Sequence, residues 1–355
     1  MDIDILIYGA NGYTGQLIAK QARLENLRVH LASRNKSAIA AIAEETGFSF
    51  SCVSLNEHKL LVELLKKFKC VIHCAGPFTE TAKQMVEACL AAKTDYIDIT
   101  GEIWAFKEVM AYHETAVKSG IRLISGAGFD VVPTDCMAAH LKDKLPDAET
   151  IEMSFVGSKT KMSRGTAVTM AKNISKGGFI RENGELKNVP LAYKIKELEF
   201  LHKKQLVMSI PWGDLMTTYY QTNIPNIIIY SGVSRKLASK IKRFRFLKFI
   251  LGIGWIQKIV RKKIENETSG PDEHALQEGK TYLNGIATNK KGESRSVKMI
   301  TPEAYKLTAL TALASAKKLI DLTEKIPHGY LTPAQAFGKD FIMQFEGVEC
   351  YDVDT

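Results

Sequence analysis

Residues 5–15 read Ile-Leu-Ile-Tyr-Gly-Ala-Asn-Gly-Tyr-Thr-Gly, an apolar run that leads directly into three glycines. The residues that follow have the apolar spacing of a helix. Glycines between a strand and a helix let backbone N–H groups and a helix N-terminus approach a pyrophosphate, although the spacing here is G-x-x-G-x-x-G rather than G-x-G-x-x-G. The stretch predicts a dinucleotide-binding turn whose cofactor-binding residues are Gly9, Ala10, Asn11, Gly12, Tyr13, Thr14 and Gly15.

The second apolar run ends at Ser33-Arg34-Asn35-Lys36 without an acidic residue. An Asp or Glu at this place would hold the ribose 2′-hydroxyl of NAD, whereas an arginine accommodates the extra phosphate of NADP. The sequence therefore predicts NADP(H) as the cofactor, with Ser33, Arg34 and Asn35 around its 2′-phosphate. A solvated basic loop is the alternative interpretation.

Strand and helix patterns alternate up to about residue 130 and predict a parallel, doubly wound Rossmann sheet. Six strands are expected, at residues 3–8, 28–33, 49–53, 70–74, 95–99 and 122–125. Five helices are expected between them, at residues 15–24, 36–46, 57–68, 80–92 and 103–119. The fold class is α/β.

The 355 residues are enough for two domains, and the pattern changes after Asp130. We expect a mixed α/β substrate domain over residues 131–300. A strongly amphipathic helix at residues 305–323 is predicted to return to the first domain. The NADP-binding domain would then consist of residues 1–130 and 301–355, with the substrate domain as an insertion.

The net charge of +9 is concentrated in one segment. No Asp or Glu occurs from Leu215 to Ile264, and residues 235–263 carry eleven Lys and Arg, so the rest of the chain sums to 9 − 11 = −2. This pattern argues against a general nucleic-acid-binding surface. Within residues 239–263 the longest uncharged stretch, 249–257, is far shorter than the roughly 20 residues of a membrane-spanning helix. The segment fits peripheral contact with anionic lipid, or, as the favoured interpretation, packing in a homodimer interface or on the substrate domain.

The chain starts Met-Asp-Ile-Asp-Ile, without the basic region of a secretory signal. Its six cysteines form no C-x-x-C pair, which favours reduced thiols in a cytoplasmic protein. Cys70 and Cys74 would point to one face of a strand and His73 to the other, so no metal site is expected.

Three further loops follow strands of the predicted sheet, whose ligands lie outside the carboxyl ends of the strands. Ala75, Gly76 and Pro77 allow a close, stiff approach to the cofactor. Beyond them, Thr100, Glu102 and Asp130 are placed where a nicotinamide would lie, which makes them candidate catalytic residues. For Thr100, and for Asp98 at the end of the same strand, capping of the helix that follows is the alternative function.

Together these motifs resemble the saccharopine dehydrogenase-like oxidoreductases, in the branch that contains trans-acting enoyl reductases. The motifs are Gly-Ala-Asn-Gly-Tyr-Thr-Gly (9–15), Cys-Ala-Gly-Pro-Phe (74–78), Thr-Asp-Tyr-Ile-Asp-Ile-Thr-Gly-Glu (94–102), Gly-Phe-Asp-Val-Val-Pro-Thr-Asp (128–135) and Ser-Arg-Gly-Thr (163–166). The resemblance spans nearly the whole chain and implies an NADP-type Rossmann domain with a mixed α/β substrate domain. It does not imply the substrate; Arg164 and Gly165 are the substrate-binding candidates.

Short-chain dehydrogenases are excluded because none of the twelve tyrosines has a lysine four residues later. The leading hypothesis is an NADPH-dependent oxidoreductase that transfers hydride to an apolar enoyl, acyl or lipid-like substrate, since the cofactor carries the chemistry and the protein supplies orientation and a proton. One alternative is an imine or amino-acid-conjugate reductase of saccharopine type, which predicts several arginines for carboxylates. The other is a catalytically quiet NADP-binding protein that docks on membranes or partners.

Overall fold

The computed structural model describes residues 4–158, 161–174, 176–201, 203–244, 270–321 and 323–353. The chain forms two compact units, Met1–Val132 with Tyr305–Phe341, and Pro133–Ala304 with Ile342–Thr355. The chain thus leaves the first unit after Val132 and re-enters it at Tyr305, as expected for an inserted second unit.

The described strands, in chain order, are β1 (Ile5–Tyr8), β2 (Val29–Ser33), β3 (Phe50–Cys52), β4 (Cys70–His73), β5 (Asp95–Asp98), β6 (Arg122–Ile124), β7 (Ala148–Gly157), β8 (Gly178–Glu182), β9 (Glu185–Val189), β10 (Ile195–Glu199), β11 (Lys204–Ser209), β12 (Asn226–Gly232), β13 (Lys280–Asn289), β14 (Ser294–Pro302), β15 (Gly329–Leu331) and β16 (Glu349–Val353).

The described helices are α1 (Tyr13–Leu24), α2 (Lys36–Thr46), α3 (His58–Leu65), α4 (Phe78–Ala92), α5 (Ile103–Met110), α6 (His113–Ser119), α7 (Val132–Lys144), α8 (Arg164–Ile174), α9 (Asp214–Thr222), α10 (Arg235–Phe244), α11 (Glu273–Glu278), α12 (Ala304–Ile320) and α13 (Pro333–Phe337), followed by a 3-10 helix at Phe341–Gln344.

The sheet of the first unit has the strand order β15-β6-β5-β4-β1-β2-β3, and every pairing in it is parallel. The predicted α/β Rossmann fold is confirmed, because the six predicted strands form this sheet with helices between them. The order reverses between β1 and β4, and such a switch point is where nucleotides bind in open parallel sheets. The seventh strand, β15, was missed because it is only three residues long and comes after α12.

Alternation along the strands divides the apolar core of the first unit between the two faces of the sheet. Ile5 and Ile7 face a cluster that includes residues of α1 and α12, whereas Leu6 and Tyr8 face one built with α3 and α4. The predicted return helix therefore covers one face of the nucleotide-binding sheet. Burial of both faces explains why these strands read as continuous apolar runs.

The sheet of the second unit has nine strands and is mixed. Seven follow the order β10-β11-β12-β7-β13-β14-β16, with the β8–β9 hairpin attached through β12. Only β7 and β12 pair in parallel; the other described pairings are antiparallel. Helix α7 packs so closely on this sheet that a Cβ added at Gly285 would lie 2.5 Å from Met137 Sδ.

Two expectations about the elements need correction. The predicted return segment of residues 301–355 is too long, because β16 pairs with β14 and residues from Ile342 onward belong to the second unit. The sequence of β16, Glu-Cys-Tyr-Asp-Val, is too polar to be recognised as a strand. The helix predicted over residues 103–119 is divided into α5 and α6.

No helix in the described part of the chain is both long and apolar enough to cross a bilayer. Of the basic segment 239–263, only residues 239–244 are described, as the second half of α10. The predicted lipid or interface contact of the remainder lies outside the described residues.

The return helix is fastened by a buried ion pair. Arg122 donates a hydrogen bond from Nη2 to the backbone oxygen of Leu319, at 2.9 Å, and pairs with Asp95. The two charged side chains are only 17% and 8% exposed. Burial raises the pKa of Asp95, and hydrogen bonding and charge from Arg122 oppose that rise.

We predict that Arg122→Leu lowers the free energy of unfolding by about 3 kcal/mol, because it leaves the buried carboxylate of Asp95 without its ion-pair partner. Urea denaturation measures this loss. Lys69→Leu is the matched control, since its ion pair with Asp4 is at the surface and should contribute less than about 1 kcal/mol. Arg122→Leu combined with Asp95→Leu should recover part of the loss; equal losses for Arg122→Leu and Lys69→Leu would contradict the assignment.

Candidate cofactor and catalytic site

The turn between β1 and α1 is closed by backbone contacts that only glycine permits. Gly9 has φ +83°, and the Gly12 N–H donates to the Gly9 oxygen at 3.0 Å. A Cβ added at Gly15 would lie 2.5 Å from that same oxygen. The first and third glycines are therefore required by the turn itself.

The N-cap residue of α1 is Gly12, which is in an extended conformation and has no side chain with which to cap the first turn. A helix N-terminus attracts anions because its N–H groups and its dipole both favour negative charge. The glycine turn and this helix N-terminus fit the pyrophosphate of a dinucleotide.

The loop after β4 lies directly against this turn. A Cβ added at Gly9 would be 2.7 Å from the Ala75 nitrogen. The Thr81 hydroxyl donates to the Ala75 oxygen at 2.7 Å and lies 3.2 Å from the Pro77 oxygen, which ties the loop to the first turn of α4. The predicted Ala75–Gly76–Pro77 loop is thus held beside the glycine turn.

His73 orients the Thr81 hydroxyl. Its Nε2 lies 3.1 Å from Thr81 Oγ1, and because the hydroxyl proton is directed to Ala75, Nε2 must be the donor. The side chain is fully buried, and burial lowers the pKa of His73 to about 3. His73 is therefore a neutral imidazole that fixes the loop, a function that its place on a strand did not reveal.

The side chains of Ser33 and Asn35 form hydrogen bonds that stabilise the loop after β2 and the start of α2. The Asn35 N–H donates to Ser33 Oγ at 3.0 Å, and Asn35 Oδ1 accepts from the Ala38 N–H at 3.1 Å as the cap of α2. Ser33 is only 2% exposed. Of the three predicted phosphate residues, Arg34 is the one with a free cationic head at the surface.

An open hollow of about 800 Å³ lies at the N-terminus of α2. It is lined by Arg34, Asn35, Lys36, Ser37 and Ala40. Within the described ranges no carboxylate pairs with Arg34 or Lys36, so two cations and a helix N-terminus face one space. This charge distribution fits a phosphate group. Lys36 and Ser37 were not predicted as phosphate-binding residues, although their position in the first turn of α2 could have indicated them.

Asp98 organises the loops that follow β5 and β6. Its buried carboxylate accepts from the Tyr96 hydroxyl at 2.7 Å, the Thr100 N–H at 2.9 Å and the Gly126 N–H at 2.8 Å. Burial raises the pKa of Asp98, and these hydrogen bonds act in the opposite direction. Thr100 is fully buried and its hydroxyl accepts from the Glu102 N–H at 3.0 Å. Thr100 thus has a structural function in the loop.

Glu102 caps α4. Its two carboxylate oxygens accept from the Phe78 N–H at 2.7 Å and the Thr79 N–H at 3.2 Å. This capping from a distant loop joins the β4 and β5 loops and leaves Glu102 6% exposed. The structure therefore gives Glu102 a capping function at the start of α4, which the sequence did not predict.

Asp130 differs from the other acids of this edge because it is partly exposed. Its carboxyl group lies against Gly101, where an added Cβ would be 2.5 Å from Oδ2. Burial, and secondarily the negative charge of Glu102, raises the pKa of Asp130 to about 7. Asp130 therefore exists in both protonation states near neutral pH, which is the property required of a proton donor.

The two substrate candidates lie in the second unit. Arg164 and Gly165 are the first residues of α8, and both are exposed. The Ser163 hydroxyl accepts from the Thr166 N–H at 3.2 Å and stabilises the start of that helix. Their function in substrate binding stays a prediction.

Comparison with known proteins agrees with this geometry. Residues 5–124 match the family model of the saccharopine dehydrogenase NADP binding domain. Similar proteins include the trans-acting enoyl reductase of Mycobacterium ulcerans, 28% identical over 43% of this chain and 38% of that protein. The saccharopine dehydrogenase-like oxidoreductase of Mus musculus is 27% identical over 44% of this chain and 41% of that protein. The chain thus spans about two-fifths of the length of these relatives.

Among solved structures, the apo saccharopine dehydrogenase (L-Glu forming) of Saccharomyces cerevisiae matches with a TM-score of 0.73. The match covers 99% of this chain and 100% of that one at 13% identity, so it supports the fold alone. The predicted cofactor, NADP(H), is confirmed by the matched domain, which includes the glycine turn and Arg34. Residues 5–124 thus match a saccharopine dehydrogenase NADP-binding domain, and the chain is similar in sequence to trans-acting enoyl reductases and saccharopine dehydrogenase-like oxidoreductases.

Proposed function

We propose that this protein is an NADPH-dependent reductase that transfers hydride to an apolar enoyl or acyl substrate. The observation that carries the proposal is Asp130, a partly exposed acid with a pKa near neutrality at the carboxyl edge of β6. The named activity of the mycobacterial relatives, enoyl reduction, supports the same substrate class.

In this proposal the cofactor is held by the features described above. The backbone of residues 9–15 and the N-terminus of α1 bind the pyrophosphate, while Arg34, Lys36 and Ser37 bind the 2′-phosphate. Ala75, Gly76 and Pro77 lie alongside the glycine turn. NADPH supplies the hydride when it is bound, and the protein has to supply orientation and a proton.

Asp130 is the proton donor in this proposal. Reduction of an enoyl thioester adds a hydride at the β carbon and a proton at the α carbon. Glu102 is fixed by two N–H groups of α4, so its charge stays next to Asp130 and favours the protonated form. The carboxyl oxygen of Asp130 then gives up a proton as the substrate gains one.

The charge of the surrounding loops favours a substrate without carboxylates near the reacting carbon. Residues 74–79, 99–104 and 125–132 contain Glu102 and Asp130 but no Lys, Arg or His. An amino-acid conjugate would bring carboxylates to these acidic loops, whereas an enoyl thioester is neutral there. Phe78 and Trp104, in the first turns of α4 and α5, supply partly exposed apolar side chains at the same edge.

The direct test is NADPH oxidation by the full chain with trans-2-decenoyl-CoA, compared with a mixture of glutamate and an aldehyde that forms an imine. Turnover of the enoyl thioester supports the proposal. Turnover of the imine alone would replace it with a saccharopine-type reduction. Tight NADPH binding with neither activity would indicate a binding protein.

We predict that Asp130→Asn lowers kcat for the enoyl thioester about 100-fold or more, with NADPH affinity unchanged. In the parent protein kcat should fall as pH rises through about 7, because Asp130 loses its proton there. This limb should disappear in Asp130→Asn. Glu102→Gln should move it to lower pH, because removing the neighbouring negative charge lowers the pKa of Asp130. A pH profile identical in all three proteins would exclude Asp130 as the donor.

We predict that Arg34→Ala weakens NADPH binding about 10- to 100-fold and leaves NADH binding unchanged, because it removes a charge-assisted hydrogen bond to the 2′-phosphate. Fluorescence titration measures both constants. Arg28→Ala is the matched control, since that exposed arginine precedes the opposite end of β2. Equal affinities of the parent protein for the two cofactors would refute the assignment.

The hydroxyl of Thr81 gives a further prediction. Thr81→Val should weaken NADPH binding about 5- to 10-fold, because the β4 loop loses its tie to α4, whereas Thr81→Ser should keep the parent affinity. Calorimetric titration with NADPH distinguishes the two variants. If Val and Ser behave alike, the hydrogen bond does not position the loop.

A further inference from the structure

Helix α12 begins at the cofactor edge of the first sheet. The Thr308 hydroxyl, in the second turn of the helix, accepts a hydrogen bond from the Phe129 N–H at 3.0 Å, in the loop that follows β6. Near the other end of the helix, the Leu319 oxygen accepts from Arg122, the first residue of β6. The helix therefore runs antiparallel to β6, and its first turn lies at the carboxyl edge of the sheet, where the glycine turn also lies.

Tyr305, in the first turn of α12, contacts the start of α1. Its ring forms an edge-to-face pair with the ring of Tyr13, with 5.2 Å between the ring centroids and 88° between the ring planes. Tyr13 is the first residue of α1 and follows directly on Gly12, the N-cap of the helix whose N-terminus fits the pyrophosphate. The aromatic pair thus joins the pyrophosphate end of the site to the first turn of α12.

The tyrosine pair offers an aromatic surface to a ligand at this edge. In an edge-to-face arrangement each ring keeps at least one face that its partner does not cover, and both tyrosines are partly exposed. Along α12, Tyr305 is one turn from Thr308, which binds the loop of Asp130. The pair therefore lies close to the pyrophosphate end of the site and to the loop of the proposed proton donor. In a dinucleotide, the nicotinamide riboside is the part that connects the pyrophosphate to the reacting carbon.

We propose that Tyr305, supported by Tyr13, packs against the nicotinamide riboside half of NADPH. Its ring supplies a flat apolar surface to the flat nicotinamide ring, and aromatic rings pack favourably in this way. The contact limits the positions that the nicotinamide can take at the carboxyl edge of the sheet. The inference rests on the NADP(H) site alone, so it does not depend on which acceptor the proposed reductase uses.

The experiment is calorimetric titration of the full chain with NADPH and with adenosine 2′,5′-bisphosphate, which carries the 2′-phosphate but lacks the nicotinamide riboside. Tyr305→Leu should weaken NADPH binding about 5- to 10-fold and leave binding of the bisphosphate unchanged. Tyr305→Phe keeps the ring and should bind both ligands as the parent does. The matched control is Tyr112→Leu, because that partly exposed tyrosine of the same unit packs on the other face of the sheet. It should leave both affinities unchanged.

A proton NMR measurement tests the contact without relying on the stability of Tyr305→Leu. In deuterated protein with protonated tyrosine rings, bound NADPH should show a nuclear Overhauser cross-peak from its nicotinamide protons to a tyrosine ring, and Tyr305→Phe should remove it. An unchanged NADPH affinity in Tyr305→Leu, an equal loss for the bisphosphate, or the absence of any cross-peak that depends on Tyr305 would each overturn the proposal. Neither measurement needs an acceptor, so failure here is distinguishable from failure of the proposed reductase.

Discussion

The close approach of the turn after β1 to the loop after β4 is the constraint on which the cofactor site depends. No side chain fits at Gly9, because a Cβ there would overlap the backbone of Ala75. This contact lies at the switch point of the sheet, the place where dinucleotides bind in open parallel sheets. The tie from Thr81 to Ala75 and the buried His73 keep the second loop in that position.

The acids at the same edge show how one fold assigns different functions to similar side chains. Asp98 and Glu102 accept hydrogen bonds from backbone N–H groups, so their carboxylates are committed to holding loops together. Asp130 is partly exposed, and its pKa is raised by burial and by the fixed charge of Glu102. Of these two structural acids, Glu102 contributes to the raised pKa of Asp130.

Predictions from the sequence were accurate where a local pattern is sufficient. Most of the six predicted strands were recognised because both of their faces are covered, although β3 is largely exposed. The glycine turn was recognised because its spacing follows from the turn it forms. The pattern did not reveal β15 and β16, since a strand of three residues and a polar edge strand acquire their structure only by pairing with distant partners.

The sequence by itself determined the nucleotide-binding fold and the choice of NADP, because both depend on residues close together along the chain. Only the tertiary structure decided that Asp130 is partly exposed whereas Thr100 and Glu102 are buried. That decision depends on contacts across the sheet edge: Glu102 is used by α4, 24 residues earlier in the chain, and its charge then raises the pKa of Asp130. Burial and hydrogen bonding between distant segments cannot be inferred from the spacing of residues alone.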